Sequence, residues 1–385
     1  MGTLTRLRGL PRLVDHRAGK LFLLGLLGIS WHNWRLWQRN RSLLAHSRPL
    51  PNGDAWKTWT HLPLVSFLVA AWNESDQIGN LVQSFLSLDY PHKELILCAG
   101  GNDGTQEISR QWEGRNVLVL EQLAGEGKQR ALRKCWSAAK GSVVFLTDAD
   151  CVLDDVSFRR ILASILRGAD VASGSYEPLE TQLKVPFVLY HWAPQLFDLA
   201  HRESYIRGLE GRNCGMTRLA LETVRAFDDD VQTGTDYFLA QKLLKSGYRI
   251  RFVPGSTVHT ALPEDVDTYV RKQSRWIRNL LVHGPAFGAW GDVAAALRTG
   301  CVGTGMLLAP LLSLALGGWI LAAWGLLLSH AVLSRLRYFA FAQGLTGQRF
   351  GWRVQARIVP YLFVDFYAWA RSLLDYALPW RRAHW

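Results

Sequence analysis

The stretch VVFLTDADCVLDD, residues 143–155, decides how the rest of the chain is read. An apolar, β-branched run ends in Asp148 and Asp150, spaced i and i+2, and in extended chain that spacing points both carboxylates the same way. Like charges side by side repel unless something cationic lies between them, and a divalent metal is the usual reason for the arrangement. At average aspartate usage, about one D-x-D triplet arises by chance in a chain of this length. Three occur: Asp148/Asp150, Asp228/Asp230 and Asp265/Asp267. Only the first follows an apolar run after a glycine, where open α/β sheets set their ligands beyond the carboxyl ends of the strands.

Working outward, the runs LVSFLVAAW (64–72), ELILCAG (94–100), NVLVLEQL (116–123) and SVVFLTDAD (142–150) alternate with helical patterns over 75–88, 105–113, 128–140 and 155–167. Strands separated by helices of that length imply βαβ units, and the spacing predicts a doubly wound, mostly parallel α/β sheet.

The formal charge of +12 is unevenly placed. Residues 1–50 carry nine Lys/Arg against one acid and residues 276–385 carry ten against three, so the middle, with 25 against 28, is slightly acidic. The basic flanks are rich in Leu, Trp, Phe and Tyr, as in chains that lie against an anionic leaflet, whereas a nucleic-acid binder sets its basic stripe on the folded module. A membrane partner is expected, and no nucleic acid. The five cysteines show neither C-x-x-C nor metal spacing to histidine, which fits a reduced domain on the cytoplasmic side; the expected membrane is a bacterial-type inner membrane.

At the N-terminus Arg6, Arg8, Arg12, Arg17 and Lys20 precede LFLLGLLGIS and then Trp31, Trp34 and Trp37. That run falls short of the roughly 20 residues that cross a bilayer, so it reads as an interfacial anchor, with a signal peptide the competing reading. Residues 301–334 are apolar apart from breaks at Pro310 and Gly317-Gly318, with Arg298 before and Arg335 and Arg337 after; they suit a hairpin that enters and returns to one side. Residues 358–378 set Asp365, Arg371, Ser372 and Asp375 opposite Leu362, Phe366, Trp369, Leu373 and Tyr376, which predicts an amphipathic helix at the interface or lining a groove. Three parts follow: an anchor and linker over 1–59, a catalytic domain over 60–285, and the membrane hairpin with its amphipathic helix over 286–385.

In order along the chain stand AAWNES (70–75), AGGNDGT (99–105), GEGKQRAL (125–132), TDAD (147–150), TGTDYFLAQKLLKSGYRI (233–250) and KQSRW (272–276). The series resembles the inverting family 2 glycosyltransferases, in particular the membrane-attached branch with cellulose synthase, hyaluronan synthase and ceramide glucosyltransferase. Over roughly residues 60–285, the resemblance implies a GT-A fold, a nucleotide-sugar donor and Mn2+ or Mg2+.

The residues agree piece by piece. Glu74 and Asp103 stand just beyond the first two strands, where carboxylates can accept from a base N–H or ribose hydroxyls; capping and turn closure are their structural alternatives. The family often has two aspartates where this chain has Cys98 and Ala99, which leaves Asp103 as the nucleoside contact. Lys128 follows two glycines that free the backbone for approach to a diphosphate, and Gln129 excludes a Walker A loop. Asp148 and Asp150 would hold the metal on the diphosphate, Asp150 the more direct ligand by resemblance. Asp236, preceded by Gly234-Thr235, resembles the aspartate of the family's TED motif and is expected to be the base, a role that can coexist with helix capping. RKQSRW resembles the family's Q/R-x-x-R-W with Lys272 in the first position; Arg275 would bind the diphosphate and Trp276 wall the acceptor entrance. His191, Trp192 and GLEGRNCG (208–215) fall where the family builds its acceptor pocket.

A polymer-exporting synthase needs several crossing helices, so the expected reaction is transfer of one sugar to a membrane lipid hydroxyl, and the resemblance implies glucose from a UDP-sugar as the donor. A processive polysaccharide synthase and a polyprenyl-phosphate sugar transferase remain alternatives, the latter with Arg207, Arg212 and Arg218 to meet the phosphate. A non-enzymatic membrane scaffold is the reading from another class.

Overall fold

The structure, a computed structural model, describes residues 16–45, 62–114 and 116–378; Arg6, Arg8 and Arg12 lie outside them. Its strands are β1 (Val65–Trp72), β2 (Lys93–Gly100), β3 (Val117–Glu121), β4 (Val143–Leu146), β5 (Cys151–Val152), β6 (Val171–Pro178), β7 (Tyr205–Ile206), β8 (Cys214–Thr217) and β9 (Ile250–Thr260). The helices run α1 (His16–Ala45), α2 (Ile78–Ser87), α3 (Thr105–Arg110), α4 (Gly127–Ala138), α5 (Asp155–Leu166), α6 (Pro186–Ala200) and α7 (Arg218–Thr223). They continue with α8 (Thr235–Lys245), α9 (Val266–His283), α10 (Trp290–Leu316), α11 (Gly318–Thr346), α12 (Trp352–Gln355) and α13 (Ile358–Ala377). Two compact units result: an α/β unit from 49–182 and 198–262, and a helical unit from 1–48, 183–197 and 263–385.

In the α/β unit the strands follow the order β3-β2-β1-β4-β8-β6-β9-β5, with β7 also on β9. The first four pair in parallel, as do β6 and β9, and parallel pairing makes up the greater part of the register. The four-residue β8 enters antiparallel between β4 and β6. Strand alternation sends Phe67 and Val69 of β1 to the layer with α2 and α5, and Leu68 to the layer with α4, α7 and α8. Covering both faces is what makes the central strands read as continuous apolar runs. Phe67 meets Phe85, Phe145 and Phe158 at ring-centroid distances of 5.2, 4.9 and 5.2 Å, which fixes α2 and α5 against the sheet. Cys98 and Ala99 are both fully buried, one in each layer, so the departure from the family's paired aspartates is a core solution.

In the helical unit α10 and α11 are joined at Gly317, whose φ of 101° a β-carbon would resist. Trp324 Nε1 donates to the Met306 carbonyl at 3.0 Å across the pair, so the long apolar segment is a hairpin. Both helices are long and apolar enough, by length and composition, to cross a membrane. The apolar N-terminal run belongs to the single 30-residue helix α1, which lies along α11: Gly25 packs on Leu326, Gly325 on Phe22 and Gly344 on Leu44, and Asn33 Nδ2 lies 3.2 Å from His330 Nδ1.

Helix α13 departs from the amphipathic reading, because its polar face is turned inward. Asp365 and Asp375 are 1% and 3% exposed, while Tyr367 and Leu374 are 51% and 53% exposed. The partners that admit the acids come from distant segments. Asp365 accepts from Tyr190 Oη at 2.8 Å, Tyr269 Oη at 2.6 Å and Arg335 Nη2 at 2.7 Å, and Asp375 accepts from Ser274 Oγ at 3.0 Å. A buried carboxylate is tolerated only with such partners, and loss of one costs about 3–5 kcal/mol.

His191 stacks on Tyr269 at 3.8 Å beside this cluster. Burial lowers its imidazole to about 3 despite the nearby Asp365 carboxylate. The folded state therefore binds fewer protons here than the unfolded chain, whose imidazole titrates near 6.5. The contribution is fully present above pH 6.5 and is lost as pH falls toward 3, by at most about 1.4 kcal/mol per unit. His191→Gln should flatten that acid limb in melting temperatures of detergent-solubilised protein between pH 7 and 4; identical slopes for the two proteins would contradict it.

Candidate active site

The carboxyl ends of β1, β2 and β4 gather the expected residues of the α/β unit, as open α/β sheets do with their ligands. Beyond β1 and β2 the loops are laced together: Asn102 N donates to Asn73 Oδ1 at 2.9 Å, Glu74 N to Thr105 Oγ1 at 2.7 Å and Ser75 N to Asp103 Oδ2 at 3.0 Å. Thr105 donates both N and Oγ1 to Asp103 Oδ1, at 3.0 and 2.6 Å. These bonds, the Thr105 hydroxyl first, hold the Asp103 carboxyl down at about 2. Asp103 thus closes the turn that presents Glu74 and also remains exposed at the site.

The acidic turn after β4 is pinned from both ends. Cys151 N donates to the Asp148 carbonyl at 3.2 Å, and Cys151 pairs with Thr260 as β5 joins β9. Gly125 and Gly127 have φ of 79° and 68°, a conformation that favours glycine, and so release Lys128 at the start of α4. Its ammonium donates to Asp148 Oδ1 at 2.7 Å and lies 3.6 Å from Asp236 Oδ1. Burial alone would lower it, but the two carboxylates outweigh burial and hold it well above its ordinary value. One cation therefore brings the first aspartate of the D-x-D turn and the expected base together.

Asp236 lies in the first turn of α8, whose N-cap is Gly234 without a side-chain cap bond. Its Oδ1 is buried and accepts no hydrogen bond among the described residues. Beneath it runs Gly211: a β-carbon there would overlap all three carboxylate atoms of Asp236. Flanking residues Glu210 and Arg212 form a half-buried ion pair at 3.1 Å, and the Arg212 guanidinium lies 4.0 Å from the Tyr176 ring centroid. Sequence reasoning singled out GLEGRNCG but did not foresee this seat; its only signal was a glycine between opposite charges.

The other two D-x-D triplets are structural. Arg133 Nε donates to Phe227 O at 2.6 Å and its Nη2 to Asp228 O at 2.5 Å, and Asp230 pairs with Arg130. Asp265 caps α9 through Thr268 N at 2.8 Å, and Asp267 pairs with Arg271. Of the three arginines considered for an acceptor phosphate, Arg218 is committed to the carbonyls of Gly141 and Ala139 and to the Trp136 ring, and Arg207 is exposed; Arg212 alone stands by the carboxylates. Arg275 and Trp276 belong to the helical unit, on α9, where Trp276 is 46% exposed.

Among the described residues no three His, Cys, Asp or Glu side chains converge as a metal cage. The hard oxygen pair Asp148/Asp150 still fits a divalent ion, since Mg2+ is commonly held by one or two carboxylates, with substrate phosphates and water completing the shell.

Comparison with known proteins places the same stretch in context. The family model described as Glycosyltransferase like family 2 matches residues 63–279, and that for Glycosyl transferase family 21 matches residues 196–385. A poly-beta-1,6-N-acetyl-D-glucosamine synthase of Staphylococcus epidermidis is 26% identical over 223 residues, covering 55% of this chain and 53% of the relative. The probable glycosyltransferase YdaM of Bacillus subtilis is 23% identical over 236 residues, covering 56% of this chain and 55% of the relative. The chain thus spans about half the length of the curated relatives it matches. Among solved structures, the mannosyltransferase PcManGT from Pyrobaculum calidifontis, in complex with GDP-Man and Mn2+, superposes with TM-score 0.52 and 16% identity over 94% of this chain and 98% of that one, a likeness of fold. With a family match across more than half of its length, including every expected site residue, the chain belongs to the family 2 glycosyltransferases and has their GT-A fold.

Proposed function

We propose that the protein transfers one sugar, glucose from a UDP-sugar, to the hydroxyl of a membrane lipid with inversion at the anomeric carbon. The observation that carries this reading is the Oδ1 of Asp236, which accepts no hydrogen bond among the described residues and lies 3.6 Å from a lysine that also holds Asp148. A buried acceptor atom without a hydrogen bond costs about 1–3 kcal/mol, and a hydroxyl donor would supply one beside the longer ion pair to Lys128. Asp236 would take the acceptor's proton as the oxygen attacks, while Lys128 meets charge on the departing diphosphate. One base suffices, because a nucleotide diphosphate leaves without the proton that an alkoxide leaving group in glycoside hydrolysis requires. Asp150 and Asp148 would hold Mn2+ or Mg2+, which neutralises charge on the leaving nucleotide. Glu74 and Asp103 would meet the nucleoside, and Arg275 and Trp276 carry their expected donor and acceptor roles from the motif alone.

The lipid acceptor is supported by the helical unit. From Gly317 to Arg335 is about 27 Å of helix and from Gly317 back to Arg298 about 28 Å, close to the roughly 30 Å of a hydrocarbon core. Leu311 and Leu316 of α10 and Leu327 of α11 are exposed, as lipid-facing side chains would be. Arginines at the open end of the hairpin favour that end on the cytoplasmic side. A processive polymer synthase is the second reading, favoured by the likeness to a poly-beta-1,6-N-acetyl-D-glucosamine synthase of Staphylococcus epidermidis.

Incubation of detergent-purified protein with radiolabelled nucleotide sugars, Mn2+ and a native lipid extract tests the choice. Label moving into the organic phase as one species that does not lengthen with time is the expected result. A growing ladder would establish the polymer reading, and untouched donors throughout would defeat both.

A further inference from the structure

Resting on the transfer reading above, we infer that the turn Glu210–Gly211–Arg212 is a positioning element of the site: Gly211 seats the Asp236 carboxylate, and Arg212 is a fixed cation that sets how strongly Asp148 and Asp150 draw a divalent ion. The turn is rigidly built. Glu210 N donates to Ser173 Oγ at 2.9 Å and Asn213 N to the Glu210 carbonyl at 2.9 Å. Asn213 Nδ2, fully buried, donates to the carbonyls of Ser175 and Ser256, each at 3.0 Å. The backbone under Asp236 therefore cannot retreat from an added side chain, and Gly211 has none to clash.

Arg212 is held on two sides, by Glu210 at 3.1 Å and by the Tyr176 ring at 4.0 Å. The adjoining Gly211 lies against the Asp236 carboxylate, which Lys128 links to Asp148 at 3.6 and 2.7 Å, and burial of Arg212 is outweighed by the attraction of Glu210, Tyr176, Asp148 and Asp150, which raises it above its ordinary value. Counting charges, Asp148, Asp150, Asp236 and Glu210 face Lys128 and Arg212, which leaves two negative charges for one divalent ion. A guanidinium whose charge acts on the ligands repels that ion. Glu210 limits the effect, because it keeps Arg212 from collapsing onto the pair. The arrangement weakens capture of the ion by the free enzyme and favours its arrival with a diphosphate, whose charge Arg212 attracts.

The test measures Mn2+ binding to the full chain in detergent by loss of the free-ion EPR signal, without donor and with UDP, beside transfer kinetics. Arg212→Met should tighten Mn2+ binding without donor about tenfold and lower kcat/KM, whereas Arg212→Lys keeps the wild-type isotherm within about threefold. Glu210→Gln should shift the isotherm the opposite way, toward weaker binding. Gly211→Ala should keep the isotherm, which certifies its fold, and lose about 100-fold in kcat. An unchanged isotherm in both Arg212→Met and Glu210→Gln would overturn the role of Arg212, and full kcat in Gly211→Ala would overturn the seat. Should wild-type protein neither bind Mn2+ with UDP nor transfer sugar, the transfer reading itself falls, a result distinct from either.

Discussion

Asp236→Asn is expected to lower the transfer rate about 1,000-fold or more, with donor binding within about threefold of wild type. Asparagine keeps the shape that fits over Gly211 but cannot accept a proton at neutral pH, so the change isolates the base from the fold. The carboxylate now sits in the first turn of α8, where the helix N-terminus favours negative charge, and its only ion-pair partner among the described residues, Lys128, is shared with Asp148. Replacing it leaves that lysine paired with Asp148 alone, so the diphosphate end of the site should persist. Single-turnover transfer with radiolabelled donor, alongside equilibrium UDP binding, separates the two quantities. Retention of more than a tenth of the wild-type rate would remove Asp236 from proton transfer, and a parallel loss of UDP binding would make it a donor-side residue.

How much of this was readable in the sequence depends on whether the signal was local. The acid turn after β4 was legible because a fully buried strand must be apolar throughout, and acids at its carboxyl end stand out. The first helices were placed correctly but too long. Asn73 adopts a φ of 58° and Glu74 starts a turn, so α2 begins at Ile78 rather than 75; Gly114, with φ of 93°, follows a turn that ends α3 at Arg110 rather than 113. By contrast, β8 has four residues, two of them small or thiol-bearing, and no periodicity to betray it. Its register is set by β4 and β6, which are distant in sequence.

The inward polar face of α13 was hidden for the same reason. A pattern of acids on one face ordinarily means water on that face. Here Tyr190, Tyr269 and Arg335, from three other helices, replace water, and no window around residue 365 contains them. The seat of Asp236 on Gly211 likewise joins residues 25 positions apart through the turn before β8. Pairwise chemistry between remote segments is what the chain conceals, and it is where the site acquires its geometry.

Asp150→Ala and Asp148→Asn should separate two jobs that the D-x-D spacing makes look equivalent. Asp148 is engaged by Lys128 at 2.7 Å, whereas Arg212 draws toward both carboxylates. Losing Asp150 removes a hard oxygen ligand and leaves the Lys128–Asp148 pair intact. The expected result is a fall of about 1,000-fold in kcat/KM and loss of the Mn2+-dependent part of UDP binding, with binding in the absence of metal unchanged. Losing Asp148 frees the Lys128 ammonium, and the nearest remaining carboxylate is Asp236 at 3.6 Å. Drawn toward the base, the ammonium also loses the larger of the two carboxylate attractions that outweigh burial and hold it above its ordinary value. Asp148→Asn should therefore weaken metal dependence less than Asp150→Ala does, yet depress kcat and move the alkaline limb of its pH profile, where Lys128 gives up its proton, to lower pH. Titrating transfer against Mn2+ at fixed donor, from pH 6 to 9, reads both effects. Identical metal curves and pH profiles for the two variants would mean that the aspartates act as one undivided pair and that Lys128 does not arbitrate between the metal and the base.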